Sequence, residues 1–180
     1  MPIATIELSE IQPSEKQEFR QVLQEYLREL DAVIGGDPLP GQTCEYPFWE
    51  EYWSDSTEHN KLWIVVGGGK VGFILLRHVP TAEWPGVPLP TQITEFCVFR
   101  PFRNREIGSS VLRFIIEDFR LRGEVLTWDC LTINARAEKM YDRVVREYGD
   151  RIGTGWTCRK TEFPAEAGPT YRYVCAPAPM

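Results

Sequence analysis

The chain has 180 residues, 43% of them hydrophobic and 26% charged, with a formal net charge of −6. That length suits one compact domain spanning residues 1–180, and the composition is that of a folded protein rather than a disordered one. The acidic balance argues against a general nucleic-acid binder, which needs a cationic face to neutralise phosphates.

The opening MPIATIELSE has no basic stretch leading into an apolar run, so no secretory signal is expected. No segment reaches the roughly 18–20 apolar residues that a membrane-spanning helix requires. The cysteines, Cys44, Cys97, Cys130, Cys158 and Cys175, are scattered and contain no C-x-x-C pair. They predict neither a disulfide framework nor a zinc site. Only His59 and His78 offer imidazole, so no metal is expected. The reading is a soluble cytoplasmic protein with reduced thiols and no membrane partner.

In chain order, residues 3–8 read as a short strand. Pro13 and Ser14 then open a helix, with Ser14 as its candidate N-cap. Phe19, Val22, Leu23, Tyr26, Leu27 and Leu30 supply one apolar helical face, and Gly35 and Gly36 stop it. Residues 37–42 form a loop, and Phe48 to Ser56 predicts a second, aromatic-rich helix. Lys61–Val66 and Val71–Arg77 are strands joined by a glycine-rich turn. The proline-rich stretch 79–91 is a loop. Gln92–Phe99 is a strand, followed by a helix from Gly108 to Leu121 that Gly123 ends. Val125–Ile133 is a strand, Asn134–Tyr148 a helix, and Trp156–Phe163 and Thr170–Ala176 are two last strands.

Gly67 to Gly72, GGGKVG, matches G-x-G-x-x-G. A dinucleotide fingerprint must lie between a strand and a helix, so that phosphate meets the helix N-terminus. Strands flank it on both sides here, and the stretch reads as a hairpin turn.

Val98 to Leu112, VFRPFRNREIGSSVL, joins a strand to a helix through a polar loop. A helix start offers unpaired N–H groups and the positive end of a dipole, and Gly108 lets a ligand approach the backbone. A serine-capped polar loop is the plainer reading of the same residues. The run Arg103-Asn104-Arg105-Glu106-Ile107-Gly108 resembles the Q/R-x-x-G-x-G/A signature of the GNAT superfamily of acyl-CoA-dependent N-acetyltransferases, with Val98 five residues upstream. The resemblance departs at Glu106, where the signature has its first glycine, and a non-glycine residue there predicts backbone with φ below zero. A second stretch, LTINARAEKMYDRVVREYG over Leu131–Gly149, is similar to the superfamily's later strand–helix segment, with Asn134 opening the helix and Tyr141 two turns on.

This resemblance implies an α+β fold in three layers, α/β/α, whose central mixed, mostly antiparallel sheet is flanked by helices. It implies acetyl-CoA as co-substrate, its diphosphate wrapped by Arg103, Asn104, Arg105, Glu106, Ile107, Gly108 and Ser109. Phe96, Cys97 and Val98 would pair with its pantetheine arm, and a main-chain N–H of that strand would stabilise the oxyanion. Tyr141 would protonate the departing thiolate and Asn134 would bond the pantetheine or position the helix. A plain N-cap for Asn134 and a core aromatic for Tyr141 are the competing readings. For the base that deprotonates the acceptor amine, Glu95 leads, with Thr94 equally near and His78 as fallback. Cys97 and Cys130, in apolar strands without a neighbouring histidine, read as buried structural thiols.

The acceptor side is less legible. Asp31, Asp37, Glu45, Glu50, Glu51, Asp55 and Glu58 interleave with Tyr46, Phe48, Trp49, Tyr52 and Trp53. That pattern suits a protonated amine through charge and cation–π attraction, or else an amphipathic segment with its aromatics in the core. Trp84 and its loop have two available roles, a pocket wall or a homodimer contact. Three functions therefore stand: acetyl transfer to a primary amine, acetylation of a protein N-terminus or lysine, and acyl-CoA binding without turnover.

Overall fold

The computed structural model describes residues 5–36, 43–54, 57–80, 90–149, 155–165 and 168–178. Asp37, Asp55, Trp84, the loop expected over 37–42 and most of the proline-rich stretch lie outside them. Seven strands form one sheet in the order β1-β2-β3-β4-β5-β7-β6. They are β1 (Ile6–Glu10), β2 (His59–Val66), β3 (Gly69–His78), β4 (Thr91–Val98), β5 (Leu126–Leu131), β6 (Trp156–Ala165) and β7 (Gly168–Pro177). Every pairing is antiparallel except β4 with β5, which run parallel on either side of a helix.

Gly67 and Gly68 turn β2 into β3 with φ of 60° and 81°, the left-handed pair that a two-residue hairpin needs. The other glycine of that stretch with a clear purpose is Gly72, inside β3. A Cβ there would stand 2.1 Å from the Cys97 carbonyl oxygen, so only glycine lets β3 and β4 approach as they do. β3 is buried along most of its length because helices cover both faces.

α1 (Lys16–Val33) packs Phe19 and Leu23 against Trp63, Phe73 and Leu75 on one face. α2 (Ile107–Arg122) and α3 (Ala135–Gly149) pack on the other, where Leu112, Ile115, Ile116 and Val144 meet Ile74, Ile93 and Trp128. Each fully buried aliphatic side chain contributes roughly 1.5–3 kcal/mol, so the two clusters fix both helix layers. The three-layer expectation holds.

Three local expectations fail. Ser14 is not the N-cap. Pro13–Glu15 form a 3-10 turn before α1, closed by the Gln12 N–H donating to the Glu15 carboxylate at 2.8 Å, so Ser14 already lies inside the turn. The helix expected from Phe48 shrinks to a 3-10 turn over Glu51–Trp53, because its aromatics turn inward onto Phe19 instead of lining one helical face. Cys158 and Cys175 are not free thiols. They stand opposite each other on β6 and β7, 4.1 Å apart at Cα, and form a disulfide. Strand register makes that pair, and spacing in sequence does not reveal it.

Candidate active site

β4 and β5 share only three rungs, Thr91–Leu126, Gln92–Thr127 and Ile93–Trp128. Immediately beyond, the β3 pairing skips Thr94: Leu76 faces Ile93 while Leu75 faces Glu95. That bulge bends β4 away from β5. A cavity of about 840 Å³ opens along the resulting gap, and α1, the loop before α2, and α3 complete its walls.

Phe99 donates its N–H to the Val71 carbonyl across β3 at 2.9 Å. Main-chain groups alternate sides along a strand, so those of Phe96 and Val98 face the gap. The Val98 carbonyl indeed accepts from Arg103 Nε at 2.6 Å. This leaves a short free strand edge lining the cavity beside Cys97.

Glu95 follows the bulge and reaches the cavity wall. Burial pushes its carboxyl from the ordinary 4.5 up to about 7, while the Tyr26 and Tyr46 hydroxyls restrain the rise. Tyr26 donates to Glu95 Oε2 at 2.7 Å and so fixes the carboxylate. Tyr141, on α3, lines the same cavity. Its ring packs on Trp128 and Tyr173 at 5.8 and 5.5 Å, and burial drives its phenol well above the ordinary range. A half-buried carboxyl poised at neutral pH can accept a proton, a phenol that holds its proton can donate one, and both border one chamber.

Thr94 and His78, the alternatives to Glu95, are placed differently. Thr94 Oγ1 sits 2.6 Å from the Tyr52 hydroxyl and donates to the Leu75 carbonyl at 3.3 Å, which locks the bulge. His78 is exposed, with Nδ1 3.0 Å from Thr91 Oγ1, and does not border the cavity.

At the far end lies the start of α2. Ser110 N–H makes the first helical bond, to the Glu106 carbonyl at 2.9 Å, so the N–H groups of Ile107, Gly108 and Ser109 precede the ladder. Glu106 adopts φ 60° and Asn104 φ 63°. The expectation that Glu106 excludes left-handed backbone is therefore wrong. The conformation costs a non-glycine residue on the order of 1 kcal/mol. It turns the Glu106 side chain outward, 70% exposed, where it meets Arg143 Nη1 at 3.5 Å. The carboxylate thus does not fill the helix mouth. A Cβ on Gly108 would touch Met140 Sδ at 3.0 Å, so this glycine permits close packing of α3.

Of the remaining predicted residues, Asn134 caps α3, its Oδ1 accepting the Ala137 N–H at 3.3 Å, and it also borders the cavity. Arg103 also borders the cavity, but its guanidinium is held by Glu29 at 2.7 Å and by the Val98 carbonyl, so it ties β4 to α1. Arg105 does not border the cavity, and its guanidinium lies over Phe102 at 6.0 Å. Burial raises the Cys97 and Cys130 thiols to about 12, which keeps them protonated and unreactive. Trp49 and Trp53 are covered by the protein's own Lys16, Arg20 and Lys61, and Glu50 and Glu51 pair with Lys16 and His59. That segment is core and solvated rim, and it forms no cation cage at the cavity.

Sequence reasoning missed Tyr26, Trp128 and Arg143. Tyr26 sat in an apolar helical face where only its hydroxyl hinted at more, and Arg143 was one of several exposed cations.

A model of the acetyltransferase (GNAT) family matches residues 18–145. The chain belongs to that family. No curated protein matches the chain in sequence. Among solved structures, an acetyltransferase from Thermus thermophilus superposes with a TM-score of 0.61 at 15% identity, covering 97% of this chain and 98% of that one. NAA60 of Arabidopsis thaliana, solved with a bisubstrate analogue, gives 0.58 at 15% identity over 94% and 98%. A spermidine N-acetyltransferase SpeG chimera from Vibrio cholerae and hSSAT gives 0.60 at 9% over 94% and 93%. At these identities the likeness is one of GNAT fold. Among the described residues no group of His, Cys, Asp and Glu is placed to hold a metal ion, and no helix is long and apolar enough to cross a membrane.

Proposed function

We propose that this GNAT protein is an acetyl-CoA-dependent N-acetyltransferase acting on a primary amine, working as one domain over residues 1–180 in the cytoplasm. The observation that carries this reading is the placement of Glu95 and Tyr141 on one cavity whose other end is the donor-rich start of α2. The residues fit acetyl-CoA: free N–H groups for a diphosphate, and a bare β4 edge for an extended amide-bearing arm.

In this reading the Ile107, Gly108 and Ser109 N–H groups bind the diphosphate. Phe96 and Val98 orient the pantetheine arm along the open edge. Glu95, charged above pH 7, accepts a proton from the acceptor ammonium, directly or through one water. The free amine attacks the thioester carbonyl, and a β4 N–H facing the gap steadies the charge that develops on its oxygen. Tyr141 delivers its proton to the sulfur as the C–S bond breaks, and the proton that the attacking nitrogen sheds on becoming an amide restores the phenol. Acetyl-CoA and the amine are the only partners this scheme needs, without nucleic acid or membrane.

A thiol-release assay with acetyl-CoA and a panel of small amines, polyamines and peptide N-termini tests the proposal. Release of CoA with any of them supports transfer. Coenzyme binding without turnover on the whole panel assigns the chain to the binding-module alternative.

A further inference from the structure

α3 carries Arg136, Lys139, Met140 and Arg143, spaced i, i+3, i+4 and i+7 and therefore on one face. All four border the cavity. Met140 is the packing contact with Gly108, and the three cations beside it are exposed. Arg136 Nη2 donates to Asn104 Oδ1 at 3.0 Å. Arg143 pairs with Glu106 at 3.5 Å and donates Nη2 to Ser109 Oγ. Each left-handed residue of the loop is thus linked to α3 by its own arginine. In a chain of net charge −6, three cations converging on one cavity mouth mark it for an anion.

The main-chain donors of α2 account for one anionic group of coenzyme A, its diphosphate. The coenzyme carries another, a 3′-phosphate one ribose away. We propose that Arg136, Lys139 and Arg143 form a side-chain subsite for that 3′-phosphate, and that the Glu106 carboxylate competes with it for Arg143. This rests on the acetyl-CoA reading above. The exposed Glu106–Arg143 pair is weak by its solvation, whereas a phosphate monoester offers more charge and three acceptor oxygens to the same guanidinium. Glu106 therefore tunes coenzyme affinity from outside the diphosphate seat.

Calorimetric titration of the whole chain with coenzyme A and with dephospho-coenzyme A decides the matter. Wild type is expected to prefer coenzyme A by about tenfold or more, a margin typical of one charge-assisted contact set. Lys139→Gln with Arg143→Gln removes that preference while leaving dephospho-coenzyme A affinity in place. Glu106→Gln tightens coenzyme A a few-fold, and the gain disappears when combined with Arg143→Gln. These side chains are exposed, so thermal midpoints of the variants stay near that of wild type. Equal losses for the two ligands place the cations on the diphosphate and overturn the subsite, as do unchanged affinities. Wild type that binds neither ligand overturns the coenzyme reading itself, which keeps the two failures apart.

Discussion

Glu95 is held near neutrality by burial, and that has opposite consequences for activity and for stability. A base must be charged to accept a proton, so the rate is expected to climb as pH rises through about 7, which a pH profile of kcat/KM reads directly. Glu95→Gln should remove that limb and lower kcat by about 10²–10⁴-fold. For stability the sign reverses. Between 4.5 and about 7 the folded chain holds this proton more tightly than the unfolded chain does, so stability falls as pH rises through that window. Glu95→Gln buries no charge and should melt higher than wild type at pH 8, by scanning calorimetry. Tyr141→Phe keeps the contacts with Trp128 and Tyr173 and should lower kcat by about 10²-fold with its melting unchanged. An undiminished kcat would remove Tyr141 from the mechanism. That Tyr141 and Asn134 lie on one edge and border one cavity was legible, because two helical turns separate them in sequence. The left-handed turn at Glu106 was not, since local preference opposes it and contacts with α3 stabilise it.

At the scale of elements, the approach of β3 to β4 is set by Gly72. Gly72→Ala drives a methyl group into the Cys97 carbonyl, a main-chain atom that cannot swing aside. The expected loss is about 3 kcal/mol or more, together with a higher KM for acetyl-CoA because the bare edge lies on the same strand. Urea denaturation gives the first quantity and initial-rate kinetics the second; full stability in the variant would contradict the close approach. Most strands and helices were legible from apolar period and turn residues, and so was the end of α2 at Gly123. The segment around Phe48 was misread because its aromatic spacing mimics a helix, while the pull of Phe19 across α1 shapes it into a single turn. The bulge at Thr94 left no mark in the sequence, since it comes from mismatched pairing with β3.

For the molecule as a whole, coenzyme binding should appear as added stability. At about 100 times its Kd a ligand contributes about 2.7 kcal/mol, which raises the melting midpoint by roughly 5–10 °C for a domain of this size. Differential scanning fluorimetry with coenzyme A measures this, and no shift at millimolar ligand would count against the site. Layering and the family were readable before the fold, because two separated segments matched in order. The Cys158–Cys175 link was not readable, since it depends on which rungs of β6 and β7 face each other.

The parallel seam between β4 and β5 is three rungs long, so the sheet is in effect two panels, β1 to β4 and β5 to β7, stitched near one end. A thread laid through the split lengthens the stitching. Amide exchange would then slow on both lips together, at Phe96 and Val98 on one and at Leu131 on the other, and the panels would breathe as a single plate.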